Sequence, residues 1–198
     1  MPPNCNETTD GSGRTIEVEF TPDEYDRLVE VADDPAATVR DATMWRVGIA
    51  EAIAYMDAGE FTGPKGFAKL VEETTPTWPY GALAGLEAVT IDEGESRWAM
   101  DVGPEHANPM GTVHGGVLCD LGDAAMGTAY MSTVEPDESF TTVDLTANFL
   151  RPVRTGRLEA VGHVVHRGRR VGLVECEITN EAGKLVASLS STCLTLRD

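Results

Sequence analysis

Residues 108–130 read NPMGTVHGGVLCDLGDAAMGTAY, and two groups in them could do chemistry together. Gly115 and Gly116 follow His114 at the start of an apolar run, where a helix should begin. The first N–H groups of a helix have no partner within it and carry a partial positive charge. Glycine there lets a ligand oxygen approach bare backbone, which makes an oxyanion site. Nine positions after His114 stands Asp123, a carboxylate able to move a proton or to attack. Each feature also has a plainer reading. Gly115 and Gly116 could serve only a tight loop and close helix–sheet contact. Asp120 and Asp123, at i and i+3, could lie on a solvated helix face. In an apolar setting, by contrast, the Asp123 carboxyl would be desolvated and drawn toward its protonated form.

Spacing restricts how the two groups cooperate. Eight residues of helix span roughly 12 Å, while reacting atoms must come within about 3–3.5 Å. An aspartate side chain does not bridge that gap. If both groups act on one carbonyl, they come from different copies of the chain, and the catalytic reading implies a homodimer with two composite sites.

The elements that must position these groups follow from period and punctuation. From residue 81 the pattern alternates with period two. LEAVTIDEGESRWAMDV reads as two strands joined at Glu93-Gly94-Glu95, and four more strand-like runs follow the helix at 140–150, 157–166, 170–179 and 184–196. One long helix among about six antiparallel strands is an α+β pattern, most simply solved by wrapping the sheet around the helix. Upstream, Thr21 reads as an N-cap before Pro22, Asp23 and Glu24. VRDATMWRVGIAEAIAYMDAGEF has near-helical apolar spacing, and FAKLVEE is a short helical stretch among Pro64, Pro76 and Pro79. The expected organisation is a disordered tail over 1–14, a helical extension over 15–80 and the α+β domain over 81–198.

Composition bounds the function. The net charge is −18 over 198 residues, divided as −10 for residues 1–80 and −8 for 81–198. Such a chain should repel nucleic acid and anionic membranes. Three lysines stand against 33 acids, a bias compatible with a salt-rich cytoplasm. No apolar run reaches the roughly 18 residues of a membrane helix, and no basic-then-apolar leader is present, so a cytoplasmic protein is expected. Cys5, Cys119, Cys176 and Cys193 lack C-x-x-C spacing. Three of the four read as small core residues, with Cys119 a minor candidate nucleophile. His106, His114, His163 and His166 lack ligand spacing, so no metal and no resident cofactor are expected.

The segment N-P-M-G-T-V-H-G-G with Asp123 downstream resembles the hotdog-fold acyl-CoA thioesterases of the PaaI, or phenylacetate-pathway, type. The closing run FLRPVRTGRLEAVGHVVHRGRRVGLVECEITNEAGKLVASLSSTCLTL is similar to that family's last strands. The resemblance covers about residues 67–197. It implies a sheet wrapped around one central helix and hydrolysis of a thioester, with an aryl or short- to medium-chain acyl group, to free acid and CoA. By the same resemblance, Asn108 would bind the carbonyl or position water, and Gly115 would donate its N–H to the carbonyl oxygen. His114 would organise the loop, and Asp123 of a partner subunit would activate water or attack. Thr142 would help hold water, a threonine where some relatives carry serine. Dimers associating into tetramers are also implied.

CoA is polyanionic, and six of the nine basic residues after position 80 fall between 151 and 170. Arg151, Arg167, Arg169 and Arg170, together with Arg154 and Arg157, could present guanidinium forks to its phosphates, with Gly116 beside the bound thioester. They could equally pair with the many acids. Phe61, Phe67, Trp78 and Tyr80 could cap an acyl pocket or pack within the extension. Two rivals remain: a hotdog enoyl-CoA hydratase or dehydratase, using His106 or His114 as a second acid/base, and a non-catalytic acyl-CoA-binding module. A lipase-type hydrolase lacks its G-x-S-x-G elbow here.

Overall fold

A computed structural model describes residues 8–9, 15–57, 79–135 and 137–197. Most of the 1–14 tail, the FAKLVEE stretch, and Phe61, Phe67 and Trp78 lie outside the described residues.

The extension is helical. Helix α1 spans Pro22–Val31 and opens on a capping box. The Thr21 hydroxyl accepts from the Glu24 N–H, and the Glu24 carboxylate accepts from the Thr21 N–H at 2.8 Å, so two orphan donors are satisfied reciprocally. Helix α2 spans Pro35–Asp57, beginning earlier than the apolar spacing alone indicates. Asp34 supplies the reason: its Oδ1 accepts from the Ala37 N–H at 3.0 Å, and Pro35 follows at the first helical position. A one-and-a-half-turn helix, α3 (Pro79–Ala84), leads into the sheet.

The sheet strands are β1 (Glu87–Asp92), β2 (Glu95–Val102), β3 (Glu138–Phe149), β4 (Gly156–Arg167), β5 (Val171–Asn180) and β6 (Leu185–Arg197). Helix α4 (Gly115–Met131) is inserted between β2 and β3. All pairings are antiparallel, in the order β1-β2-β4-β5-β6-β3. Register shifts around Val89 in β1, Val143 in β3 and Val165 in β4 bend the strands. The sheet therefore curls over α4, which packs on β2, β4, β5 and β6.

The helix sits close because glycine lets it. A Cβ on Gly162 of β4 would lie 2.6 Å from the Ala125 backbone carbonyl of α4, and one on Gly122 would lie 2.6 Å from Leu189 of β6. Around this contact Trp98, Met100, Leu121, Met126, Tyr130, Leu158, Ile178 and Leu189 form the core. Its polar atoms are paired. Ser96 donates to the Ala125 carbonyl at 2.6 Å, and the Trp98 indole donates to Thr128 at 2.8 Å, so the helix is pinned in rotation as well as in depth.

Candidate active site

The helix tip is built by the loop before it. In Asn108-Pro109-Met110-Gly111 the Gly111 N–H donates to the Asn108 carbonyl at 2.9 Å. Pro109 supplies the fixed φ that a turn needs second, and Gly111 takes φ 72°, a left-handed conformation suited to glycine. The Asn108 carboxamide stitches the loop from within. Its Oδ1 accepts from the Met110 N–H at 2.9 Å, and its Nδ2 donates to Thr112 Oγ1 at 3.0 Å. Two bonds then tie the loop to the chain beyond β3: Val113 N–H to the Val153 carbonyl, and Arg154 Nη1 to the Gly111 carbonyl at 2.7 Å.

His114 is the N-cap of α4, with φ −64° and ψ 137°, and its Nδ1 accepts from the Gly116 N–H at 2.9 Å. The imidazole proton is therefore on Nε2. The Val117 N–H donates to the His114 carbonyl at 3.0 Å. With Gly116 and Val117 engaged, no hydrogen bond from the Gly115 N–H is found among the described residues. Gly116 was expected near the bound thioester, but its own donor is spent on His114, which leaves Gly115 to meet an oxygen. Phe149, at the end of β3, is 54% exposed beside the tip, and a Cβ on Gly115 would lie 2.9 Å from its ring.

Two turns along, Asp123 faces away from the sheet core rather than into it. Thr142 of β3 donates to Asp123 Oδ1 at 3.5 Å. The register shift at Val143, the next residue, lies at this point of the edge strand. The Asp123 carboxyl is pushed up from the ordinary aspartate range by desolvation first. The Thr142 hydrogen bond opposes this, and the negative charge of Asp120 adds to it. A base that holds its proton more tightly than a free carboxylate is better matched to proton transfer near neutral pH. Cys119, the minor candidate nucleophile, lies beside these acids: burial, then Asp120 and Asp123, push its thiol up, away from the thiolate form. Cys176 and Cys193 are buried free thiols.

Thr142 and Asp123 are thus neighbours in one protomer, and Asn108, His114 and Gly115 form one tip, but the two groups stand about 12 Å apart along α4. The arginines divide. Arg151 is exposed just past β3, near the tip. Arg154 holds the loop. Arg157 pairs with Glu87 and Asp101. Arg167, expected at phosphate, is instead bound at 2.7 Å to the buried Glu138 carboxylate and stacks over the Tyr130 ring at 5.0 Å. Tyr130 is near the C-terminal end of α4, so the hairpin carrying Arg167, Arg169 and Arg170 lies about 22 Å along the axis from Gly115 of the same chain. Two groups at the site carry no local sequence signal. One is Arg154 as the loop clamp. The other is Tyr80, whose hydroxyl donates to Asp120 Oδ2 at 2.5 Å across forty residues of chain.

Among the described residues, no helix is long and apolar enough to cross a membrane, and no three His, Cys, Asp or Glu side chains gather as metal ligands would. Residues 110–187, from the loop to β6, match the family described as the Thioesterase superfamily. A 1,4-dihydroxy-2-naphthoyl-CoA hydrolase of Listeria monocytogenes is 29% identical over 102 residues, which is 52% of this chain and 83% of that protein. The acyl-coenzyme A thioesterase PaaI of Escherichia coli is 34% identical over 105 residues, 52% of this chain and 72% of that one. The solved structure of the E. coli PaaI protein superimposes with a TM-score of 0.59 at 26% identity, covering 67% of this chain and 93% of that chain. The helix tip, the sheet curled round it and these relatives agree: the chain belongs to the thioesterase superfamily, with the hotdog fold.

Proposed function

We propose that two copies of this acyl-CoA thioesterase, an enzyme of the PaaI type, meet along the open edge of β3, so that Asp123 of each copy stands opposite the Gly115 tip of the other. One observation carries the reading: an unoccupied Gly115 N–H and the Asp123 carboxylate, exposed on the face of α4 turned from the core, lie on a single rigid helix, too far apart to share a carbonyl. The edge of β3 fits such a pairing. It is twelve residues long and carries exposed Val143 and Phe149, and an unpaired strand edge is a template for another strand.

In the composite site the thioester oxygen accepts the Gly115 N–H. Asp123 takes a proton from water as the water oxygen bonds to the carbonyl carbon, with Thr142 steadying water and carboxylate. The negative charge that develops on oxygen is held by the helix tip. The carbon–sulfur bond then breaks, and the leaving thiolate takes the proton from Asp123. Direct attack by Asp123 would pass instead through an anhydride. Hydrolysis in ¹⁸O-water under single-turnover conditions reveals an anhydride opened at the Asp123 carbonyl, because only that path leaves unlabelled acid and a labelled Asp123. His114 shapes the tip through its cap, Asn108 through its turn, and the exposed Arg151 would meet a CoA phosphate. The same reading takes an aryl or short- to medium-chain acyl-CoA, needs no resident cofactor, and places a homodimer or dimer of dimers in the cytoplasm.

The test is a panel of acyl-CoA esters, followed by thiol release, with sedimentation of the same samples. Turnover lost in Asp123→Asn while the assembly stays dimeric or larger is the expected result. A monomer with full turnover would sink the composite site.

A further inference from the structure

Asp123 has a neighbour that the loop motif does not contain. Asp120 sits three residues before it on the same side of α4, a spacing that places Cβ atoms about 5–6 Å apart. Asp120 is bound in turn by Tyr80 of α3, whose hydroxyl donates to Oδ2 at 2.5 Å. Helix α3 packs against α2, so the extension reaches α4 through this phenol.

We propose that Tyr80 and Asp120 form a positioning pair for Asp123: the extension's phenol fixes Asp120 as an anionic neighbour one turn before the hydrolytic carboxylate, and so governs how strongly that carboxylate draws a proton from water. The proposal rests on the reading of Asp123 as that carboxylate. Two features support it. The Tyr80 phenol is itself pushed up to about 12, chiefly by its hydrogen bond to Asp120, so it remains a donor throughout any working pH range. The other groups around Asp123 in the protomer are the Thr142 hydroxyl from β3, the Cys119 thiol on its own helix and the Cys193 thiol from β6. Both thiols are pushed up, Cys193 to about 11 by burial first, so Asp120 is the charged group among them.

Full-length chain is assayed as wild type, Asp120→Asn and Tyr80→Phe. The pH profile of kcat/KM is read beside an NMR titration of the Asp123 carboxyl carbon, and neither substitution adds bulk. In Asp120→Asn the acid limb and the carboxyl titration should both move about half to one unit toward lower pH, as expected for loss of a partly screened like charge. In Tyr80→Phe they should move the same way by less, because an unanchored Asp120 side chain can swing away from Asp123 into solvent. If neither limb nor titration moves in Asp120→Asn while Asp123→Asn is inactive, the pairing is overturned and the hydrolytic reading stands. Turnover retained in Asp123→Asn overturns the hydrolytic reading itself.

Discussion

The Gly115 N–H can be deleted without dismantling the helix it starts. Proline has no N–H and is favoured at the first helical position, where that donor has no helical partner. It requires the preceding residue to be extended, and His114 already has φ −64° and ψ 137°. The added cost is steric, because a Cβ at this position falls 2.9 Å from the Phe149 ring. Phe149 is exposed in the protomer, and Gly115→Ala imposes the same Cβ while keeping the N–H. The comparison between Gly115→Pro and Gly115→Ala therefore isolates the hydrogen bond. Loss of one oxyanion donor typically lowers kcat by about 10²–10³, or about 2.7–4 kcal/mol. Gly115→Pro should fall by that factor below Gly115→Ala in thiol release at saturating acyl-CoA, with thermal midpoints close together. Equal kcat for the two would refute the assignment of the tip as the carbonyl's donor.

The remaining predictions test the assembly, the packing and the titrating groups. Reassembling Gly115→Pro with Asp123→Asn subunits at equal ratio should restore about a quarter of wild-type turnover, since half the dimers would be mixed and each would hold one intact site. No recovery after subunit exchange would contradict composite sites. Gly162→Ala should destabilise by about 1–3 kcal/mol in urea unfolding, because its Cβ would meet the Ala125 backbone at 2.6 Å and neither backbone can turn aside. The native Asp123 holds its proton more tightly than an ordinary aspartate at 3.8, so its contribution to stability is lost as pH rises from there through the raised native value. Asp123→Asn should therefore raise the melting temperature at pH 7 and leave it unchanged near pH 3, by calorimetry. Glu138 has the opposite sign. Arg197 first, then the Glu135 N–H, hold its carboxyl below the ordinary 4.5, so its contribution is present above that value and lost on acidification below it. Glu138→Gln should weaken the fold at pH 7 and blunt its acid sensitivity, read by melting temperature against pH.

Much of this protein is legible in the chain because its signals are local. Period-two alternation, the turn at Glu93-Gly94, and glycines breaking the later runs place six strands to within about two residues. Thr21 and Pro22 mark a helix start, since a cap needs only residues three or four apart. If the glycine tip and the acid act on one carbonyl, their order on one helix already calls for two copies, because helical rise is fixed. Tertiary structure decides the rest. Asp123 faces away from the core only because Gly162 and Gly122 let the opposite face of α4 lie against β4 and β6, and spacing alone does not choose between faces. Arg167 is committed to Glu138, and Arg169 and Arg170 lie at the far end of α4, because the strand register carries their hairpin there. That register is set by long-range pairing, which a run of arginines does not encode. Tyr80 meets Asp120 for the same reason: contacts between residues forty apart depend on how whole layers pack.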